Sequence, residues 1–168
     1  MDEIKKRLEE IYQTLLHDEK ILKMKEVPMH RGSNCYMHSF KVAKIAVHRA
    51  LHRKKADPEV VLYASILHDY YLYDWRKDRS KLKHHGSRHP FIAAEHAKRD
   101  FDVSEKIQEV MRSHMWPLNI KEFPKSREAK LLSYADKKVA IKEALCSKRY
   151  KEKHWDKYEE HISHLFDK

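Results

Sequence analysis

Apolar residues recur at three- and four-residue intervals along most of this chain, so the pattern reads as a series of amphipathic helices. Ile4, Leu8, Ile11, Leu15 and Leu22 share a face over residues 2–24, with Lys and Glu opposite, and predict a first helix packed on a bundle. Pro28 and Gly32 mark a loop between about Val27 and Asn34. His38, Val42, Ile45 and Ala46 then align on a helix over residues 36–52. Asp57 as cap and Pro58 in the first turn open another, with Val61, Ala64 and His68 on its inner face. Tyr70 to Arg76 is rich in aromatics that favour packing, and residues 77–88 form a basic loop in which His84 and His85 read as solvated.

The second half repeats the design. His89-Pro90 starts a helix to Phe101, with His89 at its entrance. Asp102-Val103-Ser104-Glu105 reads as a capping box before Ile107, Val110, Met111 and His114, and that helix ends at Met115-Trp116-Pro117. Leu132, Asp136, Val139 and Ala140 share a face over residues 126–146, and Trp155, Tyr158, Ile162 and Phe166 predict a last helix within residues 148–168.

Composition narrows this to one architecture. Two glycines and five prolines in 168 residues are too few for turn-rich β structure, so the expected class is all-α, a bundle of about six to eight helices. The length suits a single domain over residues 1–168, its core at about 30–145 with flanking helices packed on it. No apolar run reaches the ~20 residues of a membrane span, and the charged N-terminus lacks a secretory apolar region, so the expected location is the cytoplasm, with no membrane partner. Cys35 and Cys146 are too few for a disulfide framework and read as thiols. The net charge of +10 suits a polyanionic partner. Nucleic acid fits poorly, because the basic residues are mixed with acids and lack interleaved aromatic platforms.

Candidate chemistry centres on His68-Asp69, where an imidazole and a carboxylate side by side offer a divalent ion two donors from one short piece of backbone. His38 lies upstream, with His89, His114 and Asp136 downstream at intervals of about one helix and one turn. Each helix would therefore bring one ligand to a common centre. Asp136 faces inward among apolar residues, and an inward carboxylate needs a cation or a strong donor. Arg76 presents a planar fork suited to phosphate.

The ordered set His38 … His68-Asp69 … His89 … His114 … Asp136 resembles the HD-domain superfamily of metal-dependent phosphohydrolases. The resemblance covers about residues 30–145. It implies that His38, His68, Asp69 and Asp136 form the basic metal site, with Asp69 able to bridge, and that His89 and His114 hold a second ion as in two-metal relatives. One or two divalent transition-metal ions are expected, and the donor set suits Mn, Fe, Co, Ni or Zn without choosing among them. The implied reaction is hydrolysis of a phosphate ester, of a nucleotide or another small phosphorylated metabolite, by attack of metal-bound water. Asp69, His114 and Arg76 are then the catalytic candidates, and His30, Arg31, Arg76 and Lys137 the candidates for holding substrate. His30 or His114 would handle the leaving-group proton. Where the HD-GYP group carries a lysine three residues after its Asp, this chain has Leu72, and no Gly-Tyr-Pro follows, so cyclic dinucleotides do not fit. Two rival classes are a di-iron oxygenase on the same scaffold and a non-catalytic nucleotide- or nucleic-acid-binding module.

Overall fold

Capping residues set the order of elements in the computed structural model, which describes residues 2–29, 33–53, 55–74, 76–77, 84–145 and 155–166. Among these residues the class is all-α, with eight α-helices and no strand beyond an isolated bridge between Pro28 and Asn34. In chain order they are α1 Asp2–Leu16, α2 Glu19–Leu22, a 3₁₀ turn Lys23–Glu26, α3 Cys35–Leu51, α4 Pro58–Leu67, α5 His85–Phe101, α6 Glu105–Arg112, α7 Arg127–Leu145 and α8 Trp155–Ile162.

The central pair is α3 and α4. α4 is apolar on nearly every side and buries Val60, Val61, Leu62, Ala64, Ile66 and Leu67. A helix apolar all round must be enclosed by others. Accordingly α3 packs along α4 and α7, α6 packs against α4 and α5, and α1 and α8 cover the outside. Buried tyrosines pin the outer layer by their hydroxyls: Tyr12 donates to the Ile162 carbonyl and Tyr36 to the Leu16 carbonyl, both at 2.7 Å. Glu128, buried at the start of α7, accepts from the Asp57 backbone N–H at 3.1 Å and from Lys106 Nζ at 3.0 Å, which fixes the ends of three helices together.

Several boundaries differ from the sequence reading. The first helix stops at Leu16, because Asp18 turns outward and its carboxylate accepts the backbone N–H groups of Lys20 and Ile21, starting α2 afresh. Asp102 does not open a capping box. It closes α5 in the left-handed conformation (φ 50°), its N–H on the Lys98 carbonyl, and Ser104 alone caps α6. α5 begins a turn earlier than expected, so Pro90 lies inside it and His89 is not at the entrance. His30, Arg31, Cys146 and the side chains of Trp155 and Tyr158 lie outside the described residues. No helix among the described residues is long and apolar enough to cross a membrane.

Candidate metal centre

His68 and His114 each sit just beyond a helix C-terminus, and this explains how their rings are aimed. The last carbonyls of a helix have no partner within the helix and can accept from side chains. His68 Nδ1 takes the Ser65 carbonyl at 2.8 Å after α4, and His114 Nδ1 takes the Met111 carbonyl at 2.7 Å after α6. His89, within α5, does the same one turn back, Nδ1 to the His85 carbonyl at 2.9 Å. Carbonyls only accept, so each Nδ1 carries the hydrogen and each Nε2 presents a bare lone pair.

Those lone pairs converge. His89 Nε2 and His114 Nε2 are 3.1 Å apart, and Asp69 Oδ1 stands 3.2 Å from the first and 4.0 Å from the second. Asp69 Oδ2 faces His68 Nε2 at 3.4 Å. On the other side, Asp136 Oδ1 lies 3.1 Å from His38 Nε2 and 3.8 Å from His68 Nε2. Two groups of ligand atoms within 4.8 Å of one another result, His38, His68 and Asp136, and His68, Asp69 and His114. Three helices, α3, α5 and α7, and the segments after α4 and α6 thus bring together all six residues proposed as ligands.

Burial sharpens the electrostatics. His38, His68 and His114 are at most 1% exposed and Asp69 is 4% exposed, so solvent does not screen the cluster. Burial, together with the neighbouring His68 and His89, holds His114 down to about 3, which keeps it neutral. Its Nδ1 is taken by the Met111 carbonyl and its Nε2 lone pair faces His89, an arrangement that could hold an ion. Burial alone would raise Asp69, but the His68, His89 and His114 imidazoles overcome it and hold the carboxyl well below its usual range.

A residue that the sequence reading missed completes the arrangement. Glu143, buried on α7, accepts from His38 Nδ1 at 3.0 Å, from Ser33 Oγ at 2.9 Å and from Lys41 Nζ at 3.1 Å. It lies two helical turns beyond Asp136, a spacing that placed it on the same face. Burial works against His38 ionising, yet Asp136 and Glu143 outweigh it and push the imidazole up to about 10 in the metal-free protein.

The donor set fits a divalent transition metal. Neutral imidazole lone pairs pointing at one another and at a carboxylate repel unless a cation lies among them. His68 Nε2 and Asp69 Oδ1 are buried without a hydrogen-bond partner, the condition a ligating atom would be in before its ion arrives. Against this geometry, the family model described as HD domain matches residues 35–141. The chain belongs to the HD-domain family. No curated protein and no solved structure matches it.

This HD chain surrounds its centre with a cavity of about 760 Å³. Lys137 lines it and is anchored: Nζ donates to the His114 carbonyl at 3.0 Å and to Ser133 Oγ at 2.6 Å. Arg76 also lines it, but 44% of its side chain is exposed and its Nε lies 3.5 Å from Asp74 Oδ1, so it sits toward solvent. His85, expected to be solvated, lies instead in the cavity wall because α5 starts there. It stacks on His89 with ring centroids 4.7 Å apart, and Nδ1 is 3.2 Å from the Tyr73 hydroxyl. Burial and His89 bring it down to about 4.

Proposed function

We propose that this HD-family chain is a metal-dependent phosphohydrolase that cleaves the phosphate ester of a small phosphorylated metabolite, nucleotides among the candidates. The observation that carries this reading is the convergence of bare Nε2 lone pairs on Asp69 beside a cavity large enough for an organic phosphate. His38, His68 and Asp136 would hold one ion and His89 and His114 a second. Asp69 is suited to span them, since Oδ2 faces His68 and Oδ1 faces His89. A divalent ion supplies Lewis acidity there, polarising a phosphoryl oxygen and acidifying water toward neutrality.

The chain's own groups supply orientation and charge. The backbone carbonyls at Ser65, His85 and Met111 fix three rings before any ligand binds, so no reorganisation is needed when charge builds up. Lys137 brings positive charge to the same wall, and Arg76 offers a guanidinium at the solvent side for a phosphate entering the cavity.

The test is phosphate release from a panel of phosphorylated metabolites by protein stripped of metal and reloaded with Mn²⁺, Co²⁺, Ni²⁺, Zn²⁺ or Fe²⁺. Release that needs metal and is lost in Asp69→Asn is the expected result. A metal-loaded protein that frees no phosphate but consumes dioxygen with Fe²⁺ would overturn the reading in favour of an oxygenase.

A further inference from the structure

The cavity wall divides by chemistry. Apart from Arg76 at the solvent side, its polar side chains gather around the centre: Lys137 follows Asp136 and holds the His114 carbonyl, and His85 stacks on His89. The Tyr71 hydroxyl is taken up by sulfurs, accepting from Cys35 Sγ at 3.2 Å and donating to Met29 Sδ at 3.6 Å. Beyond these and Arg76 the described wall is the stretch from Met115 to Leu118 with Met29 and Ala140, where apart from thioether sulfurs the Trp116 indole N–H is the one side-chain hydrogen-bonding group.

The wall is also held in place. Its main stretch belongs to the link between α6 and α7, and Asn119 Nδ2 fastens that link to α5 by donating to the Ser87 carbonyl at 3.1 Å. Leu118 lies so close over α5 that a Cβ on Gly86 would stand 2.8 Å from Leu118 Cδ2. Glycine, unfavourable inside a helix, makes room here for the leucine. Outward from the cavity the apolar character continues, with Leu118 63% and Ile120 80% exposed.

We propose that the cavity takes phosphate monoesters whose organic part is apolar, an alkyl chain or an aromatic ring, in preference to hydroxyl-rich sugar phosphates. A phosphate at the centre meets the imidazoles, the carboxylate-held ion and Lys137, so the remainder of the ester lies along this wall. Sugar hydroxyls placed along that stretch would leave water for few new partners. An alkyl or aryl group gains by leaving water and contacts the adaptable Met29 and Met115 side chains. The inference rests on the phosphohydrolase reading for the reaction and adds the class of ester.

The experiment is calorimetric titration of the Mn²⁺-loaded protein with octylphosphonate, methylphosphonate and glucose 6-phosphate, alongside turnover of the matching esters. Octylphosphonate should bind at least about tenfold more tightly than methylphosphonate, as burial of only two methylenes would give. Leu118→Asn, at a largely exposed position, should erase most of that preference with metal uptake unchanged. Equal affinity for the two phosphonates, tighter binding of glucose 6-phosphate, or a preference that survives Leu118→Asn would each overturn the proposal. Chain-length preference without hydrolysis of any ester would uphold the ligand class and sink the hydrolase reading; hydrolysis without preference would do the reverse. Pelleting with vesicles of phosphatidylcholine and phosphatidic acid, but not of phosphatidylcholine alone, would identify a membrane lipid as the source of the ester. Octylphosphonate preference without pelleting would identify a soluble one.

Discussion

His38 donates through Nδ1 to the buried Glu143 carboxylate at 3.0 Å while its Nε2 stands 3.1 Å from Asp136 Oδ1, so one imidazole links two carboxylates of the same helix. Such a carboxylate behind a ligating histidine fixes the tautomer and makes the ring a stronger donor. Glu143→Gln keeps an acceptor of the same size but removes the charge. It should weaken metal binding about 10- to 100-fold with the fold intact, read by calorimetric titration with Mn²⁺. Glu143→Ala also strips Ser33 and Lys41 of this acceptor and should lower stability by about 1–3 kcal/mol, read by denaturant unfolding. Unaltered affinity in the Gln variant would reduce Glu143 to a packing role.

The same triad sets a pH dependence for the metal-free protein. His38 is pushed up to about 10, so its contribution is fully present below its ordinary value of 6.5 and is lost as pH rises through about 10. Asp136 and Glu143 are both brought down to about 2: burial opposes this, but His38 and, for Glu143, Lys41 prevail. Their contribution is present above ordinary values of 3.8 and 4.5 and is lost as pH falls through about 2. Metal-free protein should therefore resist thermal unfolding best between about pH 4.5 and 6.5. Because an ion must displace the His38 proton from Nε2, apparent metal affinity should climb about tenfold per pH unit over the neutral range. Titrations in buffers of different ionisation enthalpy would count that proton, and a pH-independent affinity would rule the coupling out.

The ligand set was legible because each member sits where a helix turns its apolar face inward, and that depends on local periodicity. His68 and His114 even announce their aim, since a histidine just past a helix end finds a ready acceptor in the carbonyl three residues back, Ser65 or Met111. Glu143 was equally in register with Asp136 yet did not stand out, because its partners Ser33 and Lys41 lie over a hundred residues away in sequence. His85 was missed for a related reason. Pro90 suggested a helix start, whereas α5 tolerates proline within its second turn and so carries His85 into the cavity. The helix break at Asp18 turned on a side-chain cap, which a hydrophobic pattern does not register.

The contact between His89 Nε2 and His114 Nε2, 3.1 Å, bears on the number of ions. Neither nitrogen can donate to the other while both Nδ1 atoms hold backbone carbonyls, so the pair is arranged for a shared cation. His89→Ala should reduce the bound metal from two ions toward one, measured by elemental analysis of the purified protein, and leave the His38, His68 and Asp136 group loaded. Undiminished stoichiometry would return His89 to a structural role.

Asp69 and Asp136 are the deepest test of the centre, because each is held among imidazoles on a different segment of the chain. In the metal-free protein Asp69 is a buried carboxylate that the neighbouring imidazoles, His68 and His89 foremost, keep ionised against the cost of burial. Replacing it with the neutral, isosteric Asn should therefore lower the stability of the metal-free protein. A second loss appears on adding metal. An ion that binds only the folded state stabilises it by about 2.7 kcal/mol at a hundredfold excess over Kd. Wild-type protein should show that rise in Tm with Mn²⁺, whereas Asp69→Asn and Asp136→Asn should show little of it and should release no phosphate. Asp136→Asn differs in one respect: it also removes a charge that holds the His38 proton, so His38 should titrate lower than in the wild type, visible in the imidazole proton resonances. Should either variant keep both the metal-dependent rise in Tm and the hydrolysis, that aspartate does not hold the ion.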